Sequence, residues 1–346
     1  MPAQLMSDVF AADAFSVLSL TDAINAVPFI PGRAGQVAGW EEEGVATTTI
    51  LIEEDGGELR LVNPTPRGGP GQAFASDKRK ARGLVVPHYQ VDDFIAADSV
   101  QNVRAFGQTS QLESLQERVN ARLRQHVQWK LDPSLEFQRV GAIKGLILNA
   151  DGSVLYNLFN EFGVEQESEV DFDLDNANPA SGALRRKVAG VVRKIADNLG
   201  GVPVGAIHAF CGDNFFDELL AHPEVRESYT GTPMAQVLRE GYVTPSGTVY
   251  GVFEFGGVIW ENYRGKVGAT SFVDTDKCHI FPIGTPGLWR TVYAPADYEE
   301  TVNTIGLPRY TKQYPTPNGK GRSLESQMNA LSYCTRPKTL VKGKRT

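Results

Sequence analysis

The chain has 346 residues, 41% of them hydrophobic and 22% charged, a composition typical of folded globular proteins and not of disordered or collagen-like chains. Its formal net charge of −7 argues against a protein that grips nucleic acid, because phosphate binding needs an excess of Lys and Arg. The isolated Cys211, Cys278 and Cys334 indicate neither a disulfide framework nor a zinc site, and neither a secretory signal nor a transmembrane run is visible. We therefore expect a protein of an aqueous, reducing compartment, without membrane contact and without a metal or other cofactor.

The N-terminal part of the chain predicts an arm followed by a β-ribbon. Short apolar stretches mixed with Pro28, Pro31 and several glycines are typical of an extended arm. From Val45, the run VATTTILIEEDGGELRLV predicts a hairpin, because β-branched residues flank a turn at Glu54–Gly57 that tolerates positive φ. A Pro- and Gly-rich segment and the basic run Asp77–Arg82 follow before the chain returns as GLVVPHYQV. An isolated two-stranded ribbon is marginal in water, so we expect another molecule to cover it.

The next segment predicts two helices and a second hairpin. A helix over Ser110–Lys130 follows from apolar residues at three- and four-residue spacing, namely Leu112, Leu115, Val119, Leu123, Val127 and Leu131. Asp132 and Pro133 predict an N-cap and a first helical position, with Glu136 as first-turn acid of a helix that ends near Gly145. The sequence LILNADGSVLYNLF predicts a hairpin, and ESEVDFDLDNANPASG an acidic loop.

The C-terminal half predicts alternating helices and strands. A basic amphipathic helix over Ala183–Leu199 stops at Gly200-Gly201, and the strand VPVGAIHAFC then leads into a helix that begins at Asp213. Aromatic and β-branched residues predict strands within Thr248–Tyr263, His279–Ile283 and Leu288–Tyr293. The irregular alternation favours an α+β fold over a doubly wound sheet.

No motif of a phosphate loop, dinucleotide site, zincin or serine hydrolase occurs, so we expect no enzyme. Cys211 precedes a predicted helix and His208 lies near it, which would suit an activated thiolate. We favour a buried core cysteine, because residues 208 and 211 point to opposite faces of a strand. Asp171, Asp173 and Asp175 resemble the start of a calcium loop, but Asn176 and Gly182 stand where that loop needs Gly and Glu, so we interpret them as a solvated loop.

Three segments resemble the phage lambda-type major capsid proteins, the protein E family. They are VPHYQVDDFIAADSVQNVRAFG, GTPGLWRTVYAPADYEETVN and GRSLESQMNALSYCTRPKTLV, and they occur in order and at suitable spacing over nearly the whole chain. The last segment is the most specific, with Glu325, Gln327 and Asn329 before an apolar stretch and Arg336-Pro337 before the final strand.

The resemblance implies the α+β Johnson fold of tailed-phage capsids, the Hong Kong phage type. It implies an N-terminal arm at 1–45, an E-loop at 46–91, a peripheral domain with a spine helix at 92–181, an axial domain at 182–295, and a return to the peripheral domain at 296–346. It also implies an icosahedral head shell of hexamers and pentamers, assembled in the host cytoplasm with a scaffolding protein and a portal protein. The shell would enclose double-stranded DNA, contact it only weakly, and in some cases bind a decoration protein.

The basic run suggests a contact between subunits. Lys78, Arg79, Lys80 and Arg82 lack the interleaved aromatic residues of a nucleic-acid site, so we expect them to meet acidic surface on a neighbouring subunit, such as Glu41–Glu43. Three alternatives stay open. A tail tube or other virion protein would form tubes or rings, a bacterial nanocompartment shell would copurify with enzyme cargo, and a hydrolase would lose its activity in Cys211→Ala.

Overall fold

The computed structural model describes residues 32–54, 80–96, 98–100, 115–176, 178–229, 251–317 and 319–346. The helices in these ranges are α1 (Arg33–Val37), α2 (Leu115–His126), α3 (Asp132–Lys144), α4 (Leu158–Phe162), α5 (Ala183–Leu199), α6 (Asp213–Ala221) and α7 (Pro223–Tyr229). A π-helical segment, Val127–Leu131, joins α2 to α3, and short 3-10 helices occupy Asp98–Val100, Glu299–Thr301 and Pro337–Thr339. None of the helices in the described ranges is long and apolar enough to span a lipid bilayer.

Most strands in the same ranges are short, whereas β4 and β16 run to nine and fourteen residues. The strands are β1 (Glu41–Gly44), β2 (Thr49–Glu54), β3 (Lys80–Val85), β4 (His88–Ala96), β5 (Leu146–Leu148), β6 (Val154–Asn157), β7 (Val170–Asp171), β8 (Ala206–Cys211), β9 (Val252–Phe255), β10 (Val258–Asn262), β11 (Lys266–Val267), β12 (Thr270–Ser271), β13 (Lys277–Ile283), β14 (Trp289–Tyr293), β15 (Tyr310–Pro315), β16 (Gly321–Cys334) and β17 (Val341–Lys344).

One sheet is built around the long strand β16. Its strand order is β1-β14-β16-β15, and β4 also pairs with β16. The antiparallel pairing with β4 runs from Gly321 opposite Ala96 to Asn329 opposite His88. The end of β16 pairs antiparallel with β14, which in turn pairs parallel with β1. Residues 322–327 of β16 pair with both β4 and β15, and residues 326–334 are buried.

The second sheet has the strand order β7-β17-β13-β8-β10-β9. One face packs on an apolar cluster under α5 and α6 that contains Ile195, Phe215 and Trp260. The opposite face contributes Phe210 and Phe281 to a cluster that also holds residues of the first sheet. The two sheets therefore contribute side chains to the same hydrophobic cluster. Antiparallel pairs, the parallel pairs of β8 with β10 and of β17 with β7, and the packed helices confirm the predicted α+β class.

The predicted pair of helices is one continuous helix in the described residues. Leu131 and Asp132 both have right-handed helical dihedral angles, so the interpretation of Asp132 as an N-cap is wrong. The Asp132 N–H bonds to the Val127 carbonyl, five residues earlier, in the wider π turn. This turn accommodates Pro133, which has no N–H of its own to donate. The predicted stripe is buried at Val119, Leu123, Val127 and Leu131, whereas Leu112 and the side chain of Leu115 lie outside the description.

A buried glutamine fixes α3 to the first sheet. Gln138 has no exposed surface, and its Nε2 atom donates to the Ala330 carbonyl at 2.9 Å. Its Oε1 atom accepts from the Ser332 N–H at 2.9 Å. Both ends of the side-chain amide thus bond to the backbone of β16, which sets where the helix lies along the strand.

Part of the predicted arm belongs to the body. Residues 32–45 contain α1 and β1, with Ala34 and Ala38 buried and the Trp40 ring 5.1 Å from that of Trp289. The pairing of β1 with β14 explains this packing, since a strand edge was available to receive the segment. Residues 1–31, the rest of the predicted arm, lie outside the described part of the chain.

The ribbon in the described residues consists of β2 and β3. β2 pairs antiparallel with β3, from Thr49 opposite Val85 to Glu54 opposite Lys80. The neighbour of β2 in the described residues is therefore β3, which begins inside the basic run at Lys80. The predicted turn after Glu54 lies within residues 55–79, which are outside the description.

Elements with strong local signals match their predictions. Helix α5 has the predicted bounds and ends at Gly200, whose φ of 62° is the left-handed conformation that glycine adopts readily. Helix α6 begins at Asp213. β5 and β6 form the second hairpin, and β9 and β10 pair within the predicted buried segment.

The C-terminal segment does not stay in the first sheet. β16 lies there, but β17 pairs with β13 and β7 in the second sheet. Conversely β14, which falls in the predicted axial range, belongs to the first sheet. Strands that are neighbours in the chain are therefore divided between the two sheets.

Candidate functional site

The ribbon of β2 and β3 has one face on the body and one face in solvent. Ile50 and Leu84 are register partners, are buried, and join the same cluster as Leu158 and Phe159. On the other face Leu51 is 71% exposed and Val85 is 57% exposed. An apolar strand face left open in this way is typical of a surface that another molecule covers.

The base of the ribbon is fixed by hydrogen bonds to the body. The Tyr156 hydroxyl accepts from the Val85 N–H at 3.0 Å and donates to the Val85 carbonyl at 2.9 Å. The Val86 N–H donates to the Thr48 carbonyl at 2.9 Å. These bonds hold the backbone in place, so the outward direction of Leu51 and Val85 is a built-in feature of the subunit.

The structure describes only part of the basic run. Lys78 and Arg79 lie outside the described residues, and Lys80 is described only by its backbone in β3. The Arg82 Nη1 atom donates to the Asn160 carbonyl of the same chain at 2.8 Å. A contact of these four residues with a neighbouring subunit stays a prediction.

The acidic surface suggested as their partner is already engaged. Glu41 accepts the Gly287 N–H at 2.7 Å. Glu42 pairs with Arg139 at 2.6 Å, and Glu43 pairs with Arg290 at 2.6 Å. Because β1 lies beside β14 and α3, its carboxylates meet these groups within the subunit. All three residues are nevertheless exposed, so their pairing with a neighbour's basic run stays a prediction.

Further apolar surface lies on the long helix and on a loop. Trp129, in the π-helical segment, is 67% exposed and lines an open groove of about 520 Å³ together with Val267 and Phe272. Val302 and Ile305 are exposed on the loop between β14 and β15. Sites of π-helical geometry often coincide with functional surfaces.

Cys211 lacks the surroundings of a catalytic thiol. Its side chain is fully buried in the cluster under α5 and α6, in register with Cys278 of β13. Burial, reinforced by the neighbouring Cys278, raises the pKa of the Cys211 thiol, and a protonated thiol is a poor nucleophile. His208 points to the opposite face, where its Nε2 atom lies 2.9 Å from Glu261.

The aspartates of the acidic loop bond within the chain. Asp171 pairs with Lys344 at 3.1 Å and accepts the Asp173 N–H. Asp173 accepts from the side-chain amide of Asn176. Across the described ranges, no group of three or more His, Cys, Asp or Glu side chains has the arrangement of a metal site.

The residues that carry the family resemblance have structural roles. The Asn329 side chain donates to the Pro295 carbonyl at 2.9 Å and contacts the ring of His88. Arg336 donates to the Leu199 carbonyl at 2.8 Å, at the C-terminal end of α5. The motif thus ties the first sheet to the helix that covers the second.

Sequence reasoning expected another molecule to cover the ribbon but did not single out which face is exposed, although a signal was present. Ile50, Leu51 and Ile52 form an apolar run without alternation, which is typical of a strand covered on both faces. Within the described part of the chain, only the face of Ile50 is covered. Trp129 was missed because it lies off the apolar stripe of its helix.

Comparison with known proteins gives consistent matches. The family model of the phage major capsid protein E matches residues 16–345. A major capsid protein of Pseudomonas phage KPP10 is 28% identical over 344 residues, covering 95% of this chain and 97% of that protein. The major capsid protein of Salmonella phage Felix O1 is 26% identical over 353 residues, covering 94% and 95%. A crystal structure assigned to a prophage capsid protein of E. coli CFT073 matches with a TM-score of 0.56 at 12% identity, covering 97% of this chain and 100% of that chain.

Proposed function

The chain belongs to the phage major capsid protein E family and is a head shell protein of the virion, and on this premise we propose that a neighbouring copy covers the outward face of its ribbon. The observation that carries the proposal is the exposure of Leu51 and Val85 on a ribbon whose other face is buried. A homo-oligomeric shell supplies identical neighbours at every position, so each ribbon meets the same receiving surface.

The free energy of this contact is small enough for reversible assembly of a shell. Burying one aliphatic side chain of this size contributes about 1.5–3 kcal/mol. Leu51 and Val85 together thus contribute a few kcal/mol, which lets a misplaced subunit dissociate, while many such contacts hold the closed shell. The contact is heterologous, because the ribbon of one copy meets a different surface of the next, and repeated heterologous contacts close into rings when the rotation between copies divides a full turn. This supports hexamers and pentamers as the building units.

We assign the first sheet with the long helix to the peripheral domain and the second sheet with α5 and α6 to the axial domain. The predicted limits serve as approximate limits of these domains, with residues 32–45 and β14 moved to the peripheral sheet and β17 to the axial sheet. A scaffolding protein, a portal protein and a possible decoration protein complete the proposed set of partners, and this set rests on the family resemblance. The net charge of −7 supports weak contact with packaged DNA. The family is structural, and we propose no enzymatic activity.

The test changes only the outward ribbon face. Leu51→Glu with Val85→Glu is coexpressed with the neighbouring viral genes, and particles are counted by negative-stain electron microscopy. We expect soluble, folded subunits and at least about a tenfold loss of shells, because a charged group cannot be buried unpaired at a contact. The matched control, Leu51→Met with Val85→Ile, keeps the face apolar and should form normal shells. Normal shells from the charged variant, or tubes from the unaltered chain, would contradict the proposal.

A further inference from the structure

Two buried carboxylates bind a short segment, Gly32–Gly35, which we call the root of the N-terminal segment. Glu136 comes from α3 and Glu261 from β10, so they belong to the long helix and to the second sheet. Both side chains are almost completely buried. No sequence pattern connects these two glutamates, since Glu136 was expected to serve its own helix.

Glu136 bonds to three partners from two directions. Its Oε1 atom accepts the Ala34 N–H at 2.8 Å and the Tyr263 hydroxyl at 2.7 Å. Its Oε2 atom accepts the Gly35 N–H at 3.3 Å. Tyr263 directly follows β10, so one carboxylate holds the root and the end of a strand of the second sheet at the same time.

Glu261 completes the arrangement through an ion pair. The Arg33 Nε atom lies 2.6 Å from Glu261 Oε1, and an Arg33 terminal nitrogen lies 3.1 Å from Oε2. His208 of β8 contacts the same Oε2 atom at 2.9 Å. Burial alone would raise the pKa of the Glu261 carboxyl, but the bonds from His208 and Arg33 hold it below its usual range. Loss of Arg33 would leave this charge buried with one partner fewer.

Gly32 shows how closely the root fits. A Cβ atom at this position would lie 2.0 Å from the Glu136 Cδ atom, too close for any contact. The backbone angles of Gly32, φ −58° and ψ 170°, are open to any residue. The need for glycine therefore comes from the Glu136 carboxylate and not from backbone strain.

We propose that Glu136 and Glu261 form a receptor site for the root, and that the bound root locks the long helix to the second sheet. This inference does not depend on how the ribbon is covered. The root is the piece that both elements share, and Arg33 and Ala34 are adjacent in the chain. A force on the residues that precede the root, or a partner that binds them, therefore acts directly on the junction between the peripheral and axial domains.

Arg33 supplies a built-in probe for the test. Trypsin cleaves after arginine, and the Arg33–Ala34 bond is protected while Arg33 is paired and Ala34 is buried. Full-length subunits are digested briefly under native conditions, and the fragment that begins at Ala34 is followed by mass spectrometry. We expect this fragment to appear at least about tenfold faster in Glu261→Gln and in Gly32→Ala, because cleavage follows the population of the open form.

Two control variants match the tested ones. Glu43→Gln removes a carboxylate from an exposed ion pair, and Gly190→Ala adds a Cβ atom where no neighbour lies within 4 Å. Both should cleave at the rate of the unaltered chain. Equal rates in all five proteins would overturn the receptor site. If Glu261→Gln does not fold, Gly32→Ala decides the question alone, since it changes no buried charge.

Hydrogen exchange tests the lock separately. In Gly32→Ala, peptides that contain Glu136 and peptides that contain Glu261 should exchange faster together, although neither element is altered. Faster exchange confined to residues 32–35 would show that the root does not couple the long helix to the second sheet.

Discussion

Arg309 and Asp132 form a buried ion pair, with an Arg309 terminal nitrogen 2.6 Å from Asp132 Oδ1 and side chains only 6% and 5% exposed. The pair joins the segment before β15 to the first residue of α3. Removing both charges from water is costly, so such a pair adds little net stability, but it becomes a strong constraint once formed. It fixes the loop that carries Val302 and Ile305 to the long helix.

Breaking this pair from one side should destabilise the subunit strongly. In Arg309→Met the buried Asp132 carboxylate loses the Arg309 guanidinium, and we expect the free energy of unfolding to fall by about 3–5 kcal/mol. Lys344→Met, which breaks the exposed pair with Asp171, should cost less than about 1 kcal/mol. Denaturant unfolding followed by circular dichroism measures both. Equal losses would show that burial of the Arg309 pair is unimportant.

His279 should make the subunit sensitive to mild acid. Burial lowers the pKa of His279 well below its usual range, and Lys144, Lys342 and Lys277 lower it further. The unfolded chain, with a histidine pKa near 6.5, then binds the proton first. Stability from this group is present above about pH 6.5 and falls by up to about 1.4 kcal/mol for each pH unit below that.

The measurement compares unfolding free energies at pH 7.5 and pH 5.5. His279→Gln should lose less unfolding free energy between these two pH values than the unaltered chain loses. The loss of unfolding free energy that remains at pH 5.5 would come from His126 and His222, whose pKa values burial also lowers. An unchanged acid loss in His279→Gln would contradict the prediction.

The three cysteines should not react with thiol reagents in the native protein. Cys211, Cys278 and Cys334 have no exposed surface, and burial raises the pKa of Cys334 to about 12. We expect no reaction with a thiol reagent under native conditions and three reactive thiols after denaturation. Ser153→Cys, at an exposed turn, should add one fast-reacting thiol and serves as the control. Rapid native labelling of Cys211 would instead revive the hydrolase interpretation.

The basic run should matter for assembly more than for folding. Changing Lys78, Arg79, Lys80 and Arg82 to Glu together should lower the yield of shells while the subunits stay soluble and folded. Arg82→Gln alone removes the exposed bond to the Asn160 carbonyl and should cost less than about 1 kcal/mol of subunit stability. Particle counts and unfolding curves separate the two effects. A normal shell yield from the fourfold variant would mean that these charges meet no acidic partner.

Elements whose signals are local were predictable from the sequence. The stripe of Val188, Val191 and Ile195 and the Gly200 stop reproduce α5 to the residue, because helix periodicity and a left-handed cap depend only on neighbours in the chain. The same holds for the hairpin of β5 and β6 and for the start of α6 at Asp213. Helix continuity through Pro133 was not predictable, since either a break or a π turn relieves the same steric clash.

The sequence by itself determined the family, the fold class, most helix and strand positions, and the absence of the motifs of the common enzyme classes. Only the tertiary structure decided which strands meet: β2 with β3 across residues 55–79, β1 with β14, and β17 in the second sheet. It also decided that Glu136 and Glu261 converge on Gly32–Gly35, and that Ile50 is covered while Leu51 is not. Each of these contacts joins residues far apart in the chain, and their choice depends on which edges and apolar faces the rest of the fold leaves unsatisfied. No periodicity within a short window contains that information.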